Sequence, residues 1–310
     1  MRGVCLFRWR PRNLAGLAGA EQSSIICNTN NKEKLVCDQA PTDRPFGRIT
    51  MRKISFITSL LGTLMLVIPL GVWADHHERA PLSDVWLVMP KQGMATQFEA
   101  AAKTHMAFRR DAGDSRDWEA YSAAIGSNPM LHMWRTGGLN WADMDAYAAE
   151  DQENGYEANW FTNVDPYVDH YHHYMERADF ENSNWPADME QHPYYGVTSW
   201  TLKTGAGPGP DEARKELSKI AMEEGWGENW LWLNRVGGSP TLMIVSELEN
   251  LAAMEPPEQS FFAFLTEKRS AEEAAELFAQ FGAGFAESSY TIWAHRPDLS
   301  SADMSGSADD

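Results

Sequence analysis

The sequence predicts an α+β fold built from two tandem β-α-β-β-α-β repeats. Three observations predict it. The stretches DWEAYSAAIGSNP (117–129) and NWLWLNRVGGSP (229–240) align Trp118 with Trp230, Gly126 with Gly238 and Ser127 with Ser239 at an offset of 112 residues, and a proline follows in each. MERADF (175–180) aligns with AHRPDL (294–299) through Arg177 with Arg296, Asp179 with Asp298 and Phe180 with Leu299. Upstream, SDVWLVMPKQGM (83–94) and VTSWTLKTGAG (197–207) are apolar runs that hold one tryptophan and end at Lys and Gly. Three matched pieces in one order indicate a duplication, which governs the choice of fold.

The first half is expected to open with a strand at Val85 to Pro90 and a helix from about Met94 to Asp111. Strands at Trp118 to Ile125 and Met130 to Arg135 follow, with helical pieces from Asn140 onward and EDQENGYEANW (150–160) as a solvated insertion at a helix boundary. Alignment with Tyr290 to His295 puts the closing strand on Tyr171 to Glu176, inside DHYHHYMERADF (169–180). The second half begins with a strand from Tyr195 to Lys203. The proline-broken loop GAGPGP then leads into a helix opening at Asp211, with Ala213, Leu217, Ile220 and Ala221 on one face. Trp230 to Val236 and Thr241 to Ser246 flank the turn GGSP as a hairpin. Ser270 with Glu273 makes a capping box for a helix that points Ala274, Leu277, Phe278 and Phe281 one way. Each half is therefore one ferredoxin-like unit, the first spanning 82–181 and the second 192–299.

The ends read differently. Met51, Arg52 and Lys53 precede a 17-residue apolar run from Ile54 to Leu70 and the small-x-small site Val72-Trp73-Ala74, so 51–74 is expected to be a secretory signal peptide cleaved after Ala74. Residues 1–50 are then an over-extended, disordered start, HHE (76–78) a flexible N-terminal tail, and 300–310 (SSADMSGSADD) a disordered acidic tail. Residues 1–74 hold 10 of the 26 basic and 4 of the 44 acidic side chains, which leaves 16 against 40 and a net charge near −24. Such a surface repels nucleic acid and anionic lipid, so neither is an expected partner, and no membrane contact is expected after cleavage. Cys5, Cys27 and Cys37 all fall before the cleavage site, which suits an exported, periplasmic or secreted, bacterial domain without disulfides.

In element order and in its internal repeat the chain resembles the dimeric α/β barrel superfamily, across residues 82–299. In that superfamily two ferredoxin-like units pack their sheets around a shared cavity. Its members include antibiotic-biosynthesis monooxygenase-like domains, small haem-degrading enzymes, and fused chlorite dismutase-like and dye-decolorising peroxidase-like forms. The resemblance implies that the two repeats form an intramolecular α/β barrel. It also implies two alternative chemistries: a cofactor-independent monooxygenase-like activity, or haem held by one histidine, for which the second repeat offers His295. It carries no catalytic motif, and neither a G-x-S-x-G, a phosphate-binding glycine loop, an H-E-x-x-H nor a C-x-x-C occurs in the chain.

Strand alternation then assigns faces. The pairing of 171–176 with 290–295 puts Tyr171, His173 and Met175 under the helices, and His172, Tyr174 and Glu176 with Thr291, Trp293 and His295 toward the cavity. Matching Leu131 and Met133 to Leu242 and Ile244 puts those four under helices and turns His132 and Trp134 inward. Trp230, Trp232 and Asn234 share one face and are taken as cavity residues. The candidate pocket is thus His132, Trp134, His172, Tyr174, Trp230, Trp232, Asn234 and Trp293. His170 and His172, two imidazoles on one strand face, have metal-ligand spacing; Glu176 is too far along the strand to join them, and His132, two strands away, is the remaining candidate for a third ligand. His105, at helical spacing from Phe98, Ala101 and Ala102, reads as a core histidine. The leading expectation is a monomer or homodimer that binds a small apolar or aromatic molecule without a cofactor. A non-catalytic interaction module and a haem or transition-metal protein are the alternatives.

Overall fold

The structure, a computed structural model, describes residues 79–187 and 191–301. The expected signal peptide, the upstream segment and HHE lie outside these residues, as do positions 302–310 of the tail. Eight antiparallel strands form one closed barrel. The first repeat supplies β1 (Leu82–Pro90), β2 (Glu119–Ile125), β3 (His132–Leu139) and β4 (Val168–Ala178), with helices α1 (Ala95–Ala112), α2 (Trp141–Asn154) and α3 (Tyr156–Asn163). The second supplies β5 (Tyr194–Leu202), β6 (Leu231–Val236), β7 (Thr241–Leu248) and β8 (Phe285–His295), with α4 (Gly209–Glu224), α5 (Phe261–Lys268) and α6 (Ala271–Gly282). The barrel order is β1-β3-β2-β8-β5-β7-β6-β4. Cut at its two seams, it is β4-β1-β3-β2 beside β8-β5-β7-β6, the same ferredoxin-like order twice.

The seams are ordinary antiparallel ladders, so neither half leaves an unpaired edge. At one, Tyr121 faces His295 and Ala123 faces Trp293; at the other, Glu176 faces Arg235 and Arg177 faces Asn234. Local signals set the helix ends. The backbone N–H of Asn140 donates to Asp143 at 2.7 Å ahead of α2, and the Ser270 hydroxyl accepts from the Glu273 N–H at 3.1 Å ahead of α6. Gly155, at φ 72°, joins α2 to α3 in the left-handed region that a side chain disfavours. The expected solvated insertion is therefore a helix junction, and Tyr156 within it is fully buried.

Helices cover the outside of each sheet. In the first repeat Phe98, Ala102 and Met106 pack on Val88, Trp118 and Trp134; in the second Ala213, Leu217, Phe264 and Phe281 pack on Trp230, Trp232 and Leu242. The segment after each closing strand crosses to the other repeat. Ser183 Oγ accepts from Trp232 N–H at 2.9 Å, and Ser300 Oγ accepts from Ala120 N–H at 2.9 Å, a reciprocal pair whose donors, Ala120 and Trp232, stand at the 112-residue repeat offset. Ser300 and Ser301, expected in a disordered tail, are instead buried.

Candidate functional site

The barrel interior holds a cavity of about 560 Å³. Its apolar wall comes from Leu87, Leu131, Met133, Val197, Leu231, Leu233, Met243, Val245 and Trp293, with Tyr121, Tyr174 and Tyr195 between them. Arg79, Phe180 and Trp185 sit at one side, where the Arg79 guanidinium lies 4.2 Å from the Phe180 ring centre and donates to the Trp185 carbonyl at 2.9 Å. Alternation along each strand explains the lining, because only every second residue faces inward.

Charged groups occupy two places in this wall. Arg135 Nε donates to Glu176 Oε2 at 3.3 Å and Arg135 Nη2 to Ser83 Oγ at 2.6 Å. Glu119 lies opposite Arg135 in the β2–β3 ladder and accepts from the Tyr121 hydroxyl at 2.7 Å. Burial works against the Arg135 charge, but Glu176, Tyr121 and Glu119 hold its pKa above the ordinary range. Burial, reinforced by Glu119, likewise pushes the Tyr121 hydroxyl up and keeps it neutral. Arg235 differs. Its guanidinium carbon stands 4.0 Å from the Tyr174 ring centre, and its Nε is buried without a hydrogen-bond partner. Burial and then Glu176 push Tyr174 up, so it too stays a neutral donor.

The structure separates the eight sequence candidates. Tyr174 and Trp293 line the cavity. His172 shares the face of Tyr174 but is exposed, outside the lining. His132 and Trp134 point the other way, under the first repeat's helices: His132 Nε2 lies 3.1 Å from Glu99 and Nδ1 3.0 Å from the Met130 carbonyl, while Trp134 Nε1 donates to Leu299 O at 3.1 Å. Trp230 and Trp232 are also outer residues, packed with α4, α5 and α6, and Asn234 follows them on that face. Leu231, Leu233 and Arg235 face inward instead. For Trp230, Trp232 and Asn234 nothing in the repeat fixed which face is inward; for β3 the reason is a one-residue slip. The first hairpin loop carries Asn128 where the second has none, so counting from the prolines pairs Leu131 with Leu242. The offset of 112 pairs Leu131 with Met243 and Met133 with Val245, and all four line the cavity. In a strand a shift of one reverses every side chain. Applied strictly, the repeat would have put Leu131 and Met133 on one face with Met243 and Val245, and Trp230 on the same face as Trp118.

The remaining histidines are placed as follows. His170 and His172 lie with ring centres 5.3 Å apart on the exposed end of β4, and His170 Nδ1 is 2.7 Å from Asp169. Among the described residues there is no group of three or more His, Cys, Asp or Glu that could hold a metal ion. His173 stacks on Trp86 at 4.0 Å and bonds Asp84 at 2.9 Å, on the helix side. His105 is buried between Asn159 and Arg109, at 2.8 Å from each. Among the described residues the lining of the barrel cavity includes no histidine, whereas His173 lines the space outside the first repeat's sheet. His295 stands beside the barrel cavity, its ring centre 5.3 Å from that of Tyr121, with burial lowering its pKa and leaving Nε2 unpartnered.

No family model and no curated protein matches the chain. Among solved structures it is similar to an anthrone oxidase-like protein at 12% identity, covering 74% of this chain and 98% of that one with a TM-score of 0.45. It is similar to a candidate monooxygenase from Lactobacillus acidophilus at 8% identity, covering 71% and 95%, TM-score 0.44. It is also similar to an arginine variant of chlorite dismutase from Candidatus Nitrospira defluvii at 9% identity, covering 71% and 93%, TM-score 0.44. The assignment to the α/β barrel architecture rests on the strand order itself.

Proposed function

We propose that this protein is an exported small-molecule-binding barrel that holds an aromatic or largely apolar molecule bearing one anionic group. The observation that carries the reading is Arg235, a half-buried guanidinium stacked on Tyr174, whose buried Nε has no hydrogen-bond partner, in a largely apolar cavity whose other wall charges, Arg135, Glu176 and Glu119, already face one another. A buried donor without an acceptor is costly, and an oxygen of the ligand would supply the acceptor. Trp293 and Tyr195 provide aromatic surface across the same space. Export follows from the leader at 51–74, and secretion of a fusion carrying that leader checks it.

The probe is 8-anilinonaphthalene-1-sulfonate, an aromatic anion whose fluorescence rises on entering an apolar site. Wild type is expected to bind it, and Arg235→Met to bind at least about tenfold more weakly, the loss of roughly 1.4 kcal/mol from one charge-assisted contact. Replacing a buried ion by a similar apolar volume is tolerated, so the thermal midpoint of the variant should not fall. Unchanged affinity in Arg235→Met would sink the reading.

His295 favours a second reading, oxidation of the held molecule. An imidazole whose pKa burial lowers, with an unpartnered Nε2, stands just behind the cavity wall against Tyr121, where a ring rotation would let it take a proton from a phenolic substrate and so make that substrate a better electron donor to oxygen. Oxygen uptake with 1-naphthol, lost in His295→Gln, is the expected result; no uptake above a buffer control rejects it.

A further inference from the structure

A second space, of about 420 Å³, lies outside the barrel between the first repeat's sheet and α2–α3. We propose that it is a separate binding site for a planar, cationic aromatic molecule. The inference does not rest on the function assigned to the barrel interior.

Four observations carry it. Its walls are aromatic: Trp134 and Trp160 pack edge to face at 77° with ring centres 5.4 Å apart, Trp86 and Tyr171 at 88° and 6.2 Å, and all four line the space. Flat π-systems and cations are both held by such faces.

The second observation concerns α2. Met144, Tyr147, Ala148, Asp151 and Gln152 of this helix line the space at helical spacing, yet none of its 14 residues is buried. A helix in a folded domain draws most of its stability from a buried face. Here that face is turned toward the slot, and an occupant would complete its burial.

Thirdly, the duplicated fold supplies an internal comparison. In the second repeat the same layer between sheet and helices is filled by Phe264, Leu265 and Phe281 from α5 and α6. The hollow is therefore a property of this repeat's sequence, not of the fold.

Lastly, charge chooses the ligand's sign. The two arginines in the wall are already matched, Arg109 with Asp114 at 2.6 Å and Arg116 with Asp84 at 2.8 Å. Asp151 and Glu157 add carboxylates at the lining without a paired cation, on a chain that is strongly acidic overall. An anion would meet repulsion here, whereas the barrel interior presents an arginine with an unpartnered Nε.

The test uses proflavine, a flat cation, on the whole protein and reads quenching of tryptophan emission together with hydrogen exchange. Saturable binding that persists at about 0.5 M salt is expected, because a desolvated slot is screened less than surface charge. Ala148→Trp, which fills the slot from an exposed helix position, should weaken it at least tenfold, and Arg235→Met should leave it unchanged. Exchange should slow in α2 and not in α4 when the dye is bound. Loss of binding in high salt, equal affinity in Ala148→Trp, or protection spread over both helices would each overturn the proposal. The hydrogen-exchange comparison on wild type decides the matter even if Ala148→Trp fails to fold. Failure of the sulfonate probe at Arg235 would leave this site standing, so the two proposals fail separately.

Discussion

At the scale of single residues, burial decides what each titratable group does. His105 lies in the first repeat's core, where Nε2 accepts from Arg109 Nε and Nδ1–H is left to donate to Asn159. Burial, partly offset by Asn159 and helped by Arg109, lowers its pKa to about 4. The unfolded chain takes up a proton near pH 6.5, and the folded one does so only near 4. Stability is therefore complete above pH 6.5 and falls as the pH drops toward 4, by a total of about 3 kcal/mol from this residue. Urea unfolding between pH 7 and pH 4.5 should show the decline, and His105→Gln, which keeps one donor and one acceptor, should flatten it; an unchanged slope would assign the loss to other groups. The sequence already marked His105 as core from its spacing to Phe98 and Ala102. Its partners Asn159 and Arg109 come from α3 and one turn of α1, and only the packed structure shows them.

At the scale of elements, alternation and periodicity were legible and their absolute phase was not. The strands, α1, α4 and α6 all occur where apolar pattern, Gly and capping residues place them. Helix α5 escaped notice although Ser260 caps it and Phe264 and Leu265 anchor it. The faces of β4 and β8 followed from the Arg-x-Asp match, because no loop-length difference intervenes between those strands and the matched residues. The face of β3 did not, since Asn128 in one hairpin loop shifts the count by one, and the face of β6 did not because nothing in the repeat fixes which side of that strand is inward. This reassignment has a measurable consequence. Trp134 is an outer core residue at 2% exposure, so Trp134→Ala should cost about 3–5 kcal/mol in urea unfolding. His170→Ala and His172→Ala, on the exposed end of β4, should each stay within about 0.5 kcal/mol. A large loss at either histidine would restore them as structural ligands.

At the scale of the whole molecule, the two repeats are held by reciprocal straps. Asp179, after β4, pairs with Arg214 on α4 of the second repeat at 2.6 Å, and Arg296, after β8, pairs with Glu99 on α1 of the first at 3.1 Å. Arg214 is buried and also lies 5.3 Å from the Trp232 ring centre. Arg214→Met strands Asp179 and should destabilise by about 3 kcal/mol, with tryptophan emission and circular dichroism still moving in one transition because both seams must open together. Two separated transitions would show that the halves fold independently.

By itself the sequence determined the duplication, the β-α-β-β-α-β order, the core role of His105 and the facing of Tyr174 and Trp293, because repeats and periodicity are properties of a chain read along its length. Only the tertiary structure decided which face of β3 and β6 encloses the cavity, that Arg235 stands there over Tyr174 with its Nε unpartnered, and that the first repeat keeps a second aromatic space under α2. Those depend on strands far apart in the chain meeting at fixed register, and a single residue gained or lost in a hairpin loop is enough to invert what a linear reading assigns to each face.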